Sequence, residues 1–329
     1  MIQKSVQILK QLQHPNGLFS ASPNEKTGYH LSWIRDNIYE SLGFEAIGDY
    51  SAVQKTLRAL LDVLLKHEYK IEHAIKEKPK HTHQYIHARY HPATMDEIWE
   101  EWGNKQNDAI GLLLFKMGDL EKKGIKIIRN ENDIRIIQKL VNYLQSIEYW
   151  HDKDNGIWEE REELHASSIG ACVAGLRKIA GIVDVNPDLI TKGEIALKRI
   201  LPRESETKRT DLALLSLIYP FNIVSDEDGD AILKAVEKKL VRDKGVIRYP
   251  GDSYHSNGSE AEWCMGLCWL AIIYKQFDAK KYSHYLKKAA KAMNEDGELP
   301  ELYFAGTNEH NENSPLGWAQ SLFIVASVK

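Results

Sequence analysis

The apolar positions of this chain recur at helical spacing almost from end to end. Leu57, Leu60, Leu61, Leu64 and Leu65 stand at i, i+3, i+4, i+7 and i+8, and Ile137, Leu140, Val141, Leu144 and Ile147 give a second such stripe. Each segment thus carries the one-sided apolar face that a surface helix turns to a core. The same reading predicts helices over about 6–12, 33–47, 105–118, 166–179, 187–200, 209–218, 226–242, 259–276, 280–294 and 315–328. Pro15-Asn16-Gly17 closes the first, Ser225 with Asp228 has the form of a capping box, and Gly245 stops the segment that follows.

About twelve helices of a dozen or so residues, with no low-complexity linker between them, predict an all-α fold and a single domain over residues 1–329. Two arrangements accommodate that many: an open solenoid of helix pairs, or a closed toroid of six helical hairpins. No consensus recurs at a fixed period, which counts against the solenoid. What recurs is a long polar loop after alternate helices, carrying Trp, Tyr, Arg, Asp and Glu, at 28–36, 85–108, 154–168, 248–262 and 298–318. In a toroid such loops converge on one end and make a cup of aromatic faces and carboxylates. That is the chemistry of a carbohydrate site.

Composition narrows the setting. The chain has 329 residues, 43% of them hydrophobic, and a formal net charge of −4, so nothing in it recruits nucleic acid or an anionic membrane. No apolar run approaches the roughly 18 residues of a spanning helix, and Met1-Ile2-Gln3-Lys4 opens straight into an amphipathic segment, so a cytoplasmic protein is expected. Cys172, Cys264 and Cys268 read as core packing. His81, His83, His87 and His91 lack a helical i, i+4 pair backed by a carboxylate, and read as parts of a long loop rather than as a zinc site. Trp99 either lines an acceptor subsite or anchors its loop. Trp263 and Trp269 fall in an apolar helical run and read as core, and Lys234, Lys238, Lys239, Lys287, Lys288 and Lys291 as solvated helix faces.

The chemistry concentrates at Asp154 to Ser168, where Glu159 and Glu160 follow Trp158 just after the Asn155-Gly156 turn and ahead of a helix. Adjacent glutamates there fit solvated helix-start charges. They also fit a general acid, because an indole desolvates a neighbouring carboxyl and a second carboxylate raises its pKa. Glycosidic cleavage needs one carboxyl protonated and another ionised, so a partner is required from elsewhere. Glu301, after Pro300 and near Tyr303, supplies one; its loop alone reads better as bearing a solvated surface charge, and only the pairing with Glu159 reverses that.

At these loops the sequence resembles glycoside hydrolase family 15, the glucoamylases and glucodextranases, and more closely the related N-terminal domain of phosphorylase kinase α and β subunits. Trp33-Ile34-Arg35-Asp36 is similar to the W-x-R-D segment, Trp102-Gly103-Asn104-Lys105-Gln106-Asn107-Asp108 to W-G-x-x-Q-x-D, and Gly156-Ile157-Trp158-Glu159-Glu160 to the general-acid segment. Arg248-Tyr249-Pro250-Gly251-Asp252 resembles R-Y-P-x-D, and Gly297 to Glu301 with Pro315 to Ala319 the loop that bears the base. The resemblance implies a toroid of six hairpins and an inverting, exo-acting hydrolase of α-glucosidic bonds in a glucan or gluco-oligosaccharide. Glu159 would be the acid and Glu301 the base, with carboxyl groups about 6.5–9.5 Å apart. Trp33, Arg35, Asp36, Trp102, Trp158, Glu160, Arg248, Tyr303 and Trp318 would bind substrate, and neither metal nor organic cofactor is required. Leu302 stands where glucoamylases place Gln, and Pro300-Glu301-Leu302-Tyr303, His87 to Tyr90 and Leu164 to Ser168 lean towards the phosphorylase kinase domain. The alternative implied is a glycan-sensing module without turnover.

Overall fold

A computed structural model describes residues 1–100 and 102–328. In chain order its α-helices are α1 (Ile2–Leu12), α2 (Ile34–Ala46), α3 (Tyr50–Lys66), α4 (Glu68–Lys76), α5 (Asn107–Lys122), α6 (Glu131–Ile147), α7 (Ala166–Ile179), α8 (Pro187–Ile200), α9 (Asp226–Lys239), α10 (Cys264–Tyr274), α11 (Ala279–Lys291) and α12 (Gly317–Ser327). They are of two kinds. α1, α3, α6, α8, α9 and α11 bury one stripe and leave the other face to solvent. α2, α5, α7, α10 and α12 are buried on nearly every side, as helices inside a large core must be. The buried set forms an inner ring in the order α2, α5, α7, the 3₁₀ segment Leu212–Leu217, α10 and α12, with α12 packed back on α2. Each inner member follows an outer one, giving the six-hairpin toroid.

Glycine sets the closest approach in the ring. A Cβ on Gly111 would stand 2.4 Å from the carbonyl carbon of Ala171, and one on Gly175 would stand 2.4 Å from the Gly111 carbonyl oxygen, so α5 and α7 touch backbone to backbone.

Two helices expected from the sequence are shorter than predicted. The helix expected over 209–218 shrinks to the 3₁₀ turn Leu212–Leu217, which Asp211 caps through the Ala213 N–H and which gives way to Tyr219-Pro220. The helix expected from 259 begins only at Cys264, because Glu262 and Trp263 are drawn into a strand. α4 was not foreseen: it buries only Ile71 and Ala74, too few positions to mark a stripe. The three cysteines are free and buried in the core.

Four two-residue strands tie the loops in pairs. β1 (Ser32–Trp33) pairs antiparallel with β2 (Arg89–Tyr90), and β3 (Glu262–Trp263) with β4 (Leu302–Tyr303). Trp33, Gln106, His165, Trp263 and Leu316 are the N-caps of α2, α5, α7, α10 and α12, so the five polar loops all deliver the chain into the N-termini of inner helices. No described helix is long and apolar enough to cross a membrane.

Candidate active site

The loops meet at a narrow well of about 80 Å³, into which Trp33, Arg35, Asp36, Trp158, Glu159, Arg248, Glu301 and Trp318 converge. Segments far apart in sequence, one before α2 and one before α12, thus supply parts of one wall. A larger cavity of about 810 Å³ sits at the C-terminal ends of α2, α5 and α7, where Lys116, Lys123 and Lys178 neutralise Glu45 and Asp119. Cations there also complement the helix dipoles, so that cavity is explained by stability.

Glu159 occupies a costly backbone position, with φ at +62°, a region that non-glycine residues adopt at about 1–3 kcal/mol. The preceding turn is held from beneath: His165 bonds Asp154 at 2.9 Å, and its ring packs so closely on Gly156 that a Cβ there would stand 3.0 Å away. Burial opposes charge on His165, but the hydrogen bond and charge of Asp154 outweigh it and push the imidazole up to about 9, so it stays cationic near neutrality. The Glu159 side chain is one-fifth exposed and accepts a hydrogen bond from Arg35 Nη2 at 3.1 Å. Burial raises its carboxyl, against the pull of Arg35 and with help from Asp36, to about 7. A carboxyl so placed carries its proton at neutral pH in a large fraction of molecules.

The like charge acting on Glu159 is therefore Asp36, not Glu160 as the adjacency had implied. Glu160 turns away and is neutralised: it accepts from Arg248 Nη2 at 2.8 Å, from Lys208 Nζ at 2.6 Å and from the Tyr249 hydroxyl at 2.9 and 2.8 Å. It orients Arg248, which Asp252 also grips through two bonds of 2.6 Å, and does not itself line the well. Asp36 is pushed up by burial, against Arg35, to about 6.

Glu301 lines the same well with no exposed surface. Its Oε2 accepts from the side-chain amides of Asn311 and Asn313, the latter at 2.8 Å, and its Oε1 from the Tyr29 hydroxyl at 2.5 Å. An ionised carboxylate offers about four acceptor sites, so two donors fill Oε2 and Oε1 keeps one lone pair beside Tyr29. The Tyr254 hydroxyl stands 3.1 Å from that of Tyr29 and 3.5 Å from Oε1, over that remaining position. Leu302 is fully buried on β4, and the donors to Glu301 come instead from the two asparagines and Tyr29.

Three indoles of the well, those of Trp33, Trp263 and Trp318, have buried N–H groups with no partner among the described residues, as does Arg35 Nε. Buried donors ordinarily find acceptors, so a ring of idle donors around a well is suited to a ligand rich in oxygen. Trp158 differs: its N–H is held by Asp211 at 2.8 Å, which fixes the indole behind Glu159.

Besides Glu160, two expected contacts fall elsewhere. Trp102 stands outside the well, edge-on to Trp33 at 6.0 Å, with Arg89 stacked on it at 4.3 Å. Tyr303 sits in β4 with its hydroxyl donated to the Ala292 carbonyl at 3.0 Å, a structural bond away from the well. Trp263 and Trp269 are both buried in the core as expected, and Trp263 also lines the well. Tyr29, Tyr254, Asn311 and Asn313 were missed. All four lie in the polar loops singled out by composition, but their partner, Glu301, is remote or unmarked in sequence.

A helical toroid whose loops bring two carboxyl groups to one well is the architecture of a glycoside hydrolase. The chain belongs to glycosyl hydrolases family 15, whose family model matches residues 1–190. Its solved structural neighbours include a glycosidase (TM-score 0.85, 19% identity, 99% of this chain and 95% of that one), a glycosidase in complex with glucose (0.82, 19%, 99% and 95%) and the glucoamylase of Saccharomycopsis fibuligera (0.73, 16%, 98% and 93%). Among curated relatives are the probable phosphorylase b kinase regulatory subunit alpha of Caenorhabditis elegans (25% identical, 95% of this chain) and the liver isoform of that subunit from Mus musculus (28%, 96%). The chain spans about a third of the length of these relatives, 32% and 31% respectively.

Proposed function

We propose that this protein is an inverting, exo-acting hydrolase of α-glucosidic bonds in a glucan or gluco-oligosaccharide. The reading rests on one observation: Glu159, raised to about 7 by burial, shares a well with Glu301, a carboxylate gripped by three donors. The terminal sugar would sit in the well with its hydroxyls on Arg35, Asp36, Arg248 and the idle indole N–H groups. Glu159 would give its proton to the leaving oxygen. Glu301 would take a proton from the attacking water at Oε1, on the lone pair that the Tyr254 hydroxyl now faces and would have to uncover, so the two carboxyl groups exchange protonation states over one turnover. Neither step calls for a metal or organic cofactor, and the substrate is the only partner the scheme requires.

A second reading, a glycan-binding module without turnover, is favoured by the position of Tyr254. Its hydroxyl and that of Tyr29, 3.1 Å apart, cover the one oxygen of Glu301 that could meet water. It also accords with the regulatory subunits among the relatives. Incubation of the pure protein with a panel of α-linked glucosides decides between the two. Release of glucose supports the hydrolase; binding of the same glucosides with none released supports the module.

A further inference from the structure

Two buried carboxyl groups, Glu204 and Asp211, have no part in the scheme above, yet both bond to the segment that carries the acid, Glu204 at Ser167 and Asp211 at Trp158. Asp211 is the N-cap of the 3₁₀ turn Leu212–Leu217. Its Oδ1 accepts from the Trp158 indole N–H at 2.8 Å and from the Ala213 N–H at 2.7 Å. The next residue, Leu212, donates its N–H to the Arg248 carbonyl at 2.8 Å. The Arg248 guanidinium in turn binds Glu160 at 2.8 Å and lies 5.4 Å from the centre of the Trp158 ring. The chain from Trp158 to Glu160 completes a circuit: Asp211, Trp158, Glu159, Glu160, Arg248, Leu212 and back to Asp211. Its non-covalent links are all hydrogen bonds of 2.8 Å, so no member shifts without straining the others.

The surrounding charges keep Asp211 an acceptor. Burial raises its carboxyl, and Lys208, the Ala213 and Trp158 donors and Arg248 pull against that rise. Burial and the charge of Asp211 raise Glu204, with His165 and the Ser167 donors opposing, so Glu204 holds the proton of the pair near neutrality and leaves Asp211 ionised. Both bonds of Asp211 go to Oδ1, and Oδ2 has no partner among the described residues. An asparagine can therefore make both bonds through its own oxygen, whereas an alanine can make neither. What hangs on them is the acid. Glu159 directly follows Trp158 and stands at φ +62°, and the indole is part of the wall that buries its carboxyl. An indole cut loose from Asp211 would free that strained residue to relax and would admit water beside it.

We infer that Asp211 is a positioning residue for the acid: through the Trp158 indole on one side and Leu212 on the other, it locks the acid loop to the loop of Arg248 and so sets Glu159 against the leaving oxygen of the sugar that Arg248 holds. The inference rests on the reading of Glu159 as the acid, and it adds what keeps that acid in register with the sugar clamp. Without Asp211, Arg248 is still gripped by Asp252 through two bonds of 2.6 Å and by Glu160. Loss of Asp211 should therefore fall on the acid rather than on the hold on sugar.

The test compares Asp211→Ala, Asp211→Asn, Trp158→Phe and the double variant Trp158→Phe/Asp211→Ala with the wild type. Two quantities are read: kcat and KM for glucose release from maltose across pH, and the titration of the Glu159 carboxyl by carbon-13 NMR, its signal assigned with Glu159→Gln. Asp211→Ala should lower kcat about ten- to a hundredfold while KM changes by less than about threefold. It should also move the Glu159 titration, and with it the alkaline limb of the rate, from about 7 towards the ordinary glutamate range. Asp211→Asn should recover most of both. Trp158→Phe leaves the cap at Asp211 in place and should move the titration the same way, and adding Asp211→Ala to it should move it no further. Should Asp211→Ala lose its fold, Trp158→Phe and Asp211→Asn carry the test. The inference is overturned if folded Asp211→Ala behaves as the wild type, if Trp158→Phe leaves the titration at about 7, if Asp211→Asn fails like alanine, or if Asp211→Ala shifts the titration as far in the Trp158→Phe background as alone. A titration that depends on Asp211 in a protein that releases no glucose removes the hydrolase and keeps the lock on Glu159. Glucose release with an unmoved titration does the reverse.

Discussion

The substitution Glu301→Gln exposes the assignment to its most direct test. The structure limits what it changes. Asn311 and Asn313 both aim amide N–H groups at Oε2, so the oxygen of the new carboxamide must take that place and its NH2 must face the Tyr29 hydroxyl. That hydroxyl can rotate to accept, so every polar group keeps a partner and the shape of the well is retained. Three charge-assisted bonds become neutral ones, a loss on the order of 1–3 kcal/mol of stability in all, so activity must be read well below the lowered unfolding temperature. General base catalysis contributes about 10²–10⁴-fold, or about 3–5 kcal/mol of transition-state stabilisation, and the amide cannot supply it. The expected result is a fall of that size in kcat for glucose release from maltose or maltotriose, with sugar affinity by calorimetry changed little. A variant that binds sugar like the wild type and hydrolyses it at the same rate would falsify the base assignment.

Three further outcomes follow from the same geometry. Glu159 must carry its proton to act, and its carboxyl is raised to about 7, so kcat/KM should fall as pH rises through about 7; Glu159→Gln should abolish that limb along with most activity, and a rate flat to pH 9 would contradict the acid role. If Glu301 activates water instead of attacking the sugar, proton NMR of the first minutes of hydrolysis should show β-glucose ahead of its α anomer; initial α-glucose would indicate retention. Gly103→Ala places a Cβ 2.8 Å from the Glu159 carbonyl oxygen, a backbone atom that cannot rotate away, so the acid loop must shift; activity should drop at least tenfold with a thermal midpoint lowered far less than by a core truncation, and full activity would show that the loop has slack.

How far the sequence could be read depended on how local each cause was. The outer helices α3 and α6 declare themselves because one face meets water and the other does not, so their apolar spacing is written in the chain. Inner helices lack that contrast. α10 buries all eleven of its residues, and it was recognised from an unbroken apolar run that does not say where the helix begins. That is why Trp263 was placed inside the helix: its membership of β3 depends on pairing with Leu302, a residue 39 positions away. The 3₁₀ turn Leu212–Leu217 was overcalled for the matching reason, since its apolar residues follow the helical rule and only the cap at Asp211 and the chain's exit at Tyr219-Pro220 cut it short.

The site shows the same division more sharply. Trp33, Arg35, Asp36, Glu159, Arg248 and Glu301 could be named because short motifs carry them, and they do converge on one well. Their protonation could not be read from neighbours in the chain. Adjacency made Glu160 the obvious like charge on Glu159, yet Arg248 and Lys208 neutralise it, and the carboxylate that acts on Glu159 is Asp36, brought from the start of α2. Glu301, likewise, takes one of its three donors from Tyr29, at the opposite end of the chain. A pKa is set by desolvation and by charges within several ångströms, and in a closed ring of helices those neighbours come from every hairpin. The ring closure that joins α12 to α2 is thus also what brings Tyr29 to Glu301, so the proposed acid and base owe their partners to the toroid as a whole rather than to either loop.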